Sequence, residues 1–136
     1  MSHPPGPHLS DVDQSAPTIL VIEDDAWILR LTTMLLREAK YRCVPARDID
    51  AGWQALQRGA VDLIVSDLRL DALSLIERVR AHPQFGRIPI IIASGETKPD
   101  VIRTVLAAGA ARYLTKPYAP DELLASIRQC LASETA

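Results

Sequence analysis

The stretch Thr18-Ile-Leu-Val-Ile-Glu-Asp-Asp25 decides the fold, because it is a run of aliphatic residues that ends abruptly in carboxylates. A short apolar run of this kind is typical of a buried strand in a parallel sheet. Val61-Asp-Leu-Ile-Val-Ser-Asp67 also ends in a carboxylate, whereas Ile90-Ile-Ile-Ala-Ser94 ends in a hydroxyl and Tyr113-Leu-Thr-Lys-Pro117 in a cation. Since the carboxyl ends of parallel strands meet at one edge, the sequence predicts four strands that converge on one polar site.

Segments with helical periodicity separate these runs along the chain. Asp25 and Asp48 are placed to cap the first two helices, and Gly59 to end the second. Pro99 and Pro120 lie at the starts of the last two helices. Alternating strands and helices predict an α/β fold, and five repeats fit a doubly wound five-stranded parallel sheet better than an eight-stranded barrel. Besides the first run, strands are predicted over residues 41–44, 62–66, 89–94 and 111–115.

The helices are expected to turn an apolar face toward the sheet. In the first helix this face is predicted to hold Ile28, Leu31, Leu35 and Ala39. The predicted inward residues of the later helices are Leu75, Ile76, Val79, Val101, Val105, Leu106, Leu123, Leu124, Ile127 and Leu131.

Length and charge limit the classes of function. A chain of 136 residues with 48% hydrophobic residues can form one domain with an ordinary core. The formal net charge is -2 and the basic residues are scattered, so we expect no direct contact with nucleic acid or an anionic membrane. No apolar run is long enough to cross a bilayer, residues 1–17 lack the basic-then-apolar order of a signal peptide, and Cys43 and Cys130 lack metal-ligand spacing. These features predict a cytoplasmic protein with reduced thiols.

The polar ends of the predicted strands carry a resemblance to a known family. Glu23-Asp24, Asp67, Ser94, Tyr113 and Lys116-Pro117 stand in the order and spacing of the receiver domain of two-component response regulators, including the chemotaxis regulators. The resemblance spans about residues 18–132 and implies a flavodoxin-like sheet with strand order 2-1-3-4-5. Residues 1–17 are rich in proline and polar residues and are expected to form a disordered N-terminal arm, with residues 133–136 as a tail.

The resemblance implies that Asp67 is phosphorylated and that Mg²⁺ is the cofactor. An aspartate that attacks phosphorus brings two anions together, so cations must neutralise the developing charge. The carboxylates of Glu23, Asp24 and Asp67 would supply oxygen ligands of the kind that Mg²⁺ prefers, and the backbone carbonyl of Arg69 would complete the protein ligands.

The remaining residues of the motif are implied to bind the phosphoryl group and transmit its arrival. Lys116 would place a positive charge on the phosphoryl group, and Pro117 resembles the cis-proline that directs this lysine inward. Ser94 would donate its hydroxyl to a phosphoryl oxygen. Tyr113 resembles the aromatic residue that turns from exposed to buried when the hydroxyl moves toward the phosphate.

The expected function is therefore that of a response regulator receiver. It would accept a phosphoryl group from a sensor histidine kinase or phosphotransfer protein and present an altered face to a downstream effector protein or output domain. It would catalyse only its own phosphorylation and dephosphorylation, and is not otherwise expected to be an enzyme. An aspartyl phosphatase is disfavoured because such enzymes need a second acid two residues after the nucleophile, where Arg69 stands.

The loop after Asp67 departs from the family pattern. About three residues and the usual Met-Pro-x-x-Asp-Gly sequence are missing from Asp67-Leu-Arg-Leu-Asp-Ala-Leu-Ser-Leu-Ile76. This shortening leaves an alternative, a degenerate receiver that acts as a phosphorylation-independent binding module. Arg69 and Glu96 each lie two residues beyond a site residue, and their opposite charges are expected to pair across the mouth of the site.

Overall fold

The computed structural model describes residues 15–135. The predicted N-terminal arm lies mostly outside the described residues. The strands are β1 (Thr18–Ile22), β2 (Arg42–Ala46), β3 (Leu63–Asp67), β4 (Ile90–Ser94) and β5 (Arg112–Thr115). The helices are α1 (Ala26–Glu38), α2 (Ile49–Arg58), α3 (Ala72–Ala81), α4 (Pro99–Ala108) and α5 (Pro120–Thr135).

The strands form one parallel sheet in the order β2-β1-β3-β4-β5, which confirms the predicted fold. All carboxyl ends therefore lie at one edge of the sheet. Glu23 follows β1, Asp67 and Ser94 end β3 and β4, and Lys116 follows β5. Parallel connectivity thus gathers the four polar strand ends that the sequence singled out.

Both faces of the sheet are covered, which explains why the central strands are continuously apolar. Leu20 and Ile22 belong to a core with residues of α2, α3 and α4. Ile19 and Val21 alternate with them and belong to a second core with residues of α1 and α5. A strand buried on both faces has no position for a solvated side chain, so the apolar run continues to the edge.

The predicted helix caps are confirmed. The Oδ1 atom of Asp25 accepts hydrogen bonds from the N–H groups of Trp27 at 2.9 Å and Ile28 at 3.0 Å. Asp48 accepts from the N–H of Ala51 at 2.7 Å and begins α2. Gly59 ends α2 with a φ of +90°, a conformation that favours glycine. These local contacts fix where the first two helices start.

The predicted inward face of α1 is wrong in part. Leu29 and Leu36 are buried on α1, whereas Leu31 is 47% exposed, next to Trp27 and Met34, which are 65% and 48% exposed. Apolar residues lie on most sides of this helix, so periodicity alone fitted more than one stripe. Packing on the sheet selected the Leu29 stripe and left an apolar surface outward.

A similar correction applies to α4. Val105 is fully buried as predicted, but its neighbour Leu106 is 41% exposed. Helix α5 runs to Thr135. Within residues 15–135, no helix combines the length and apolarity needed to cross a membrane.

Arg80 ties three segments together at the opposite end of the sheet. Its guanidinium donates to the carbonyl of Gly109 from Nε at 3.0 Å and from Nη2 at 2.7 Å. Its Nη1 donates to the carbonyls of Gly86 at 3.0 Å and Ile88 at 2.7 Å. One side chain of α3 therefore holds the connection into β4 and the turn between α4 and β5.

Candidate functional site

Three carboxylates lie together at the carboxyl edge of the sheet. Glu23 and Asp67 are each only 4% exposed, and Asp24 is exposed beside them. The register of β1 and β3 explains their proximity, since Ile22 is paired with Ser66 and the next residue of each strand is acidic. Among the described residues, Glu23, Asp24 and Asp67 form the group whose ligand oxygens all lie within 4.8 Å of one another.

Lys116 brings a positive charge into this group from β5. Its ammonium donates to Glu23 Oε1 at 2.8 Å and to Asp67 Oδ2 at 3.2 Å. The Lys116–Pro117 peptide bond is cis. The ammonium of Lys116 is thus hydrogen-bonded to Asp67, the aspartate predicted to be phosphorylated.

Burial and hydrogen bonding act on these groups in opposite directions. Burial raises the pKa of Asp67, but the N–H of Arg69 and the ammonium of Lys116 outweigh it and hold that pKa below its ordinary value. For Glu23, burial outweighs the bond from Lys116 and raises the pKa above its ordinary value. Burial by itself lowers the pKa of Lys116, but the hydrogen bonds to the two carboxylates outweigh burial and hold that pKa above its ordinary value. Asp67 is therefore ionised and Lys116 protonated at neutral pH.

Arg69 occupies the short turn between β3 and α3. Its backbone N–H donates to Asp67 Oδ1 at 2.9 Å. Its guanidinium lies with Nη2 at 3.4 Å from both Asp24 Oδ1 and Asp67 Oδ2. The turn ends at Asp71, which has a left-handed conformation with a φ of +58°. Although the turn is short, Asp67 keeps its position at the end of β3.

The expected pair between Arg69 and Glu96 is wrong. The Glu96 carboxylate instead accepts hydrogen bonds from the N–H groups of Thr97 at 2.9 Å and Lys98 at 3.1 Å. Glu96 thus satisfies the backbone of its own loop, while Arg69 faces two acids at once. Local hydrogen bonds and greater nearby charge explain why the two side chains separate.

Ser94 and Tyr113 meet at the backbone of Glu96. The Ser94 Oγ accepts a hydrogen bond from the Glu96 N–H at 3.1 Å. The Tyr113 hydroxyl donates to the Glu96 carbonyl at 2.8 Å, and the ring is half-buried. The predicted hydroxyl and aromatic residue are therefore linked through one loop residue.

A residue that the sequence did not indicate lies beside the site, outside the group of carboxylates. Arg47 follows β2, and its guanidinium donates to the backbone carbonyl of Asp24 at 3.2 Å and 3.0 Å. A lone arginine after a short strand carries no motif, so no sequence signal distinguishes it from a solvated residue.

The donor set fits a divalent cation with a preference for oxygen. Each of the three side chains offers a carboxylate oxygen, and two of the three are buried and held by hydrogen bonds. Hard cations such as Mg²⁺ are bound by oxygen ligands of this kind.

Comparison with known proteins agrees with this geometry. The family model of the response regulator receiver domain matches residues 19–128. Response regulator GtcR of Aneurinibacillus migulanus is 28% identical over 111 residues, which are 82% of this chain and 46% of that protein. Two-component response regulator ORR3 of Oryza sativa is 29% identical over 119 residues, 82% of this chain and 88% of ORR3. This chain thus spans less than half of GtcR, but most of ORR3.

Solved structures show the same fold. Chemotaxis response regulator CheY4 of Vibrio cholerae superimposes with a TM-score of 0.80 at 26% identity, over 86% of this chain and 100% of that one. A CheY-like receiver domain protein of Methanospirillum hungatei gives a TM-score of 0.81 at 27% identity, over 89% of this chain and 98% of that one. With this sheet order and the family match, the chain belongs to the receiver domain family of two-component response regulators.

Proposed function

We propose that this receiver accepts a phosphoryl group on Asp67 in a reaction that depends on Mg²⁺. The observation that carries the proposal is the position of Asp67, a buried ionised carboxylate bound to Lys116 and adjacent to two further acids. Its phosphoryl donor would be a sensor histidine kinase or a phosphotransfer protein, and its downstream partner an effector protein or output domain.

The chemistry is transfer of a phosphoryl group between two nucleophiles. A carboxylate oxygen of Asp67 would form a bond to phosphorus while the bond from phosphorus to the donor's imidazole nitrogen breaks, and the imidazole leaves with the bonding electrons. The Arg69 N–H at Asp67 Oδ1 supports a fixed orientation of the nucleophile before the donor arrives.

Lys116 and the acidic residues balance the charge of this reaction. The ammonium of Lys116 is hydrogen-bonded to Asp67, the nucleophile, and would reach the phosphoryl oxygens with little movement. Glu23, Asp24 and Asp67 would hold Mg²⁺, with the backbone carbonyl of Arg69 as a further ligand. When bound, Mg²⁺ would supply the positive charge that draws two anions together.

Ser94, Glu96 and Tyr113 would convey phosphorylation to a partner. The Ser94 hydroxyl accepts from the Glu96 N–H, so its own proton is available to a phosphoryl oxygen. A shift of Ser94 toward that oxygen would move the Glu96 backbone, and the Glu96 carbonyl holds Tyr113. Phosphorylation would thereby alter the surface around β5.

The alternative, a receiver that works without phosphorylation, rested on the shortened loop. That loop lies beside Asp67, yet the bonds to Asp67 from Arg69 and Lys116 are present. No feature of the described residues favours the alternative.

Intact mass spectrometry after incubation with acetyl phosphate and Mg²⁺ tests the proposal. The wild-type chain is expected to gain the mass of one phosphoryl group, and Asp67→Asn none. Asp25→Asn is the matched control, because asparagine still caps α1 and the residue lies outside the set of predicted ligands. A mass gain that survives in Asp67→Asn would place the phosphoryl group elsewhere.

A further inference from the structure

We propose that the side chain of Arg69 is an internal cation of the acidic site, and that Mg²⁺ binds by displacing it. This inference rests on the proposed function, because it takes Asp24 and Asp67 to be metal ligands. It adds a residue that sets the affinity for the ion through its side chain, whereas the family resemblance implied a role only for its backbone carbonyl.

The position of the guanidinium carries the inference. A single nitrogen, Arg69 Nη2, lies 3.4 Å from Asp24 Oδ1 and 3.4 Å from Asp67 Oδ2. Asp24 and Asp67 are two of the three side chains that would hold Mg²⁺, which prefers carboxylate oxygens as ligands. One guanidinium nitrogen therefore contacts an oxygen of each carboxylate, so Arg69 and the ion compete for the same two side chains.

The balance of charge at the site supports the same inference. Glu23, Asp24 and Asp67 carry three negative charges when ionised, whereas Lys116 and Arg69 carry two positive charges and contact these carboxylates, both of them at Asp67 Oδ2. Affinity for a divalent cation rises with the net negative charge of its ligands. Arg69 therefore lowers the attraction of the site for Mg²⁺ while it remains in place.

The arginine is also free to leave. Its side chain is 68% exposed, and its contacts to the carboxylates are long. Its backbone N–H, which orients Asp67, does not depend on the position of the guanidinium. Departure of the side chain thus uncovers the carboxylates and keeps the nucleophile in place.

Arg47 provides a matched control for the effect of charge alone. Its guanidinium also lies beside Asp24, but it donates to the backbone carbonyl and not to the carboxylate. Removal of Arg47 takes the same charge from the same neighbourhood without removing a contact to a carboxylate. Solvent and salt screen the remaining effect of such an exposed charge.

Isothermal titration of Mg²⁺ into the full chain at about 0.15 M salt tests the inference. We expect Arg69→Ala and Arg69→Gln to lower the Kd for Mg²⁺ by about three- to tenfold, and Arg47→Ala to change it by less than about twofold. Asp24→Ala should weaken binding, and circular dichroism checks that each variant is folded.

The possible outcomes separate this inference from the proposed function. Tighter binding in both Arg69 variants supports it, including the case in which only those variants bind measurably. If the wild-type chain binds Mg²⁺ and Asp24→Ala weakens that binding, but the Arg69 variants are unchanged or match Arg47→Ala, this inference alone is overturned. If no variant binds Mg²⁺, both proposals fail.

Discussion

Cys43 on β2 is a half-buried thiol whose protonation should be visible in the stability of the chain. Burial raises the pKa of Cys43 from 9.0 to about 11. Between these values the folded chain keeps a proton that the unfolded chain has lost, so the free energy of unfolding falls as pH rises. Between pH 8 and pH 10.5, the wild-type chain should lose roughly 1–2 kcal/mol more than Cys43→Val. Urea unfolding at several pH values measures the difference.

The comparison with Cys43→Val isolates the thiol because every other titrating group is common to both chains. The sign of the effect follows from the raised pKa. The contribution of Cys43 to stability is fully present below the pKa that the thiol has in the unfolded chain, and it is lost as the pH rises toward the pKa in the folded chain. Parallel stability curves for the two chains would contradict the prediction.

Single residues differ in how far their sequence position determines their place. Glu23, Asp67 and Lys116 were predicted to converge and do so, because a residue at a strand end is positioned by the backbone. The side chain of Arg69 was predicted to pair with Glu96 and instead reaches Asp24, 45 residues away in sequence. A long side chain selects among all nearby acids in space, and sequence spacing does not specify that choice.

At the scale of elements, α1 offers a test of its two apolar stripes. Leu36 is fully buried against the sheet, so Leu36→Ala should lower the free energy of unfolding by about 2–4 kcal/mol through lost burial and a cavity. Leu31 is 47% exposed, and Leu31→Ala should cost less than about 1 kcal/mol. Urea unfolding of both variants provides the comparison. A larger loss for Leu31→Ala would mean that the helix packs on its other stripe.

The same helix shows which properties of an element are encoded locally. Its start at Asp25 was predicted because a cap joins a side chain to N–H groups two and three residues away. The rotation of α1 about its own axis was not predicted correctly, because Leu29 and Leu31 are equally apolar. The difference between them arises only when the sheet and α5 are present.

At the scale of the whole molecule, Arg80 links segments that the sheet alone does not connect. Arg80→Lys keeps the charge but offers fewer donors in a different geometry, so the carbonyls of Gly86, Ile88 and Gly109 cannot all keep their bonds. We expect a loss of about 2–3 kcal/mol in the free energy of unfolding, measured by urea denaturation.

Arg78→Lys is the matched control for Arg80→Lys, since Arg78 lies on the same helix. The Arg78 guanidinium sits 4.2 Å from the centroid of the Trp53 ring, where a lysine ammonium can also bind. This substitution should cost less than about 1 kcal/mol. Equal losses in the two variants would mean that the bonds of Arg80 add nothing specific.

The order of strands is a property of the whole molecule that could not be predicted from the residue patterns alone. Alternating strand and helix patterns predicted a doubly wound sheet, and the order 2-1-3-4-5 came from the resemblance carried by the site residues. Strand order depends on pairings such as β1 with β3, which join distant parts of the chain. Such pairings leave no periodic signature in the sequence.

If the backbone of Glu96 links the site to the surface as proposed, communication through it runs in both directions. Its N–H is bound by Ser94 on the side of the site, and its carbonyl by Tyr113 on the side of the surface. If a phosphoryl group and a partner protein favour the same arrangement of this residue, each must raise the other's affinity by an equal factor. The abundance of the partner would then help to determine how much of the receiver is phosphorylated at equilibrium. In that case the protein that receives the signal also sets its strength.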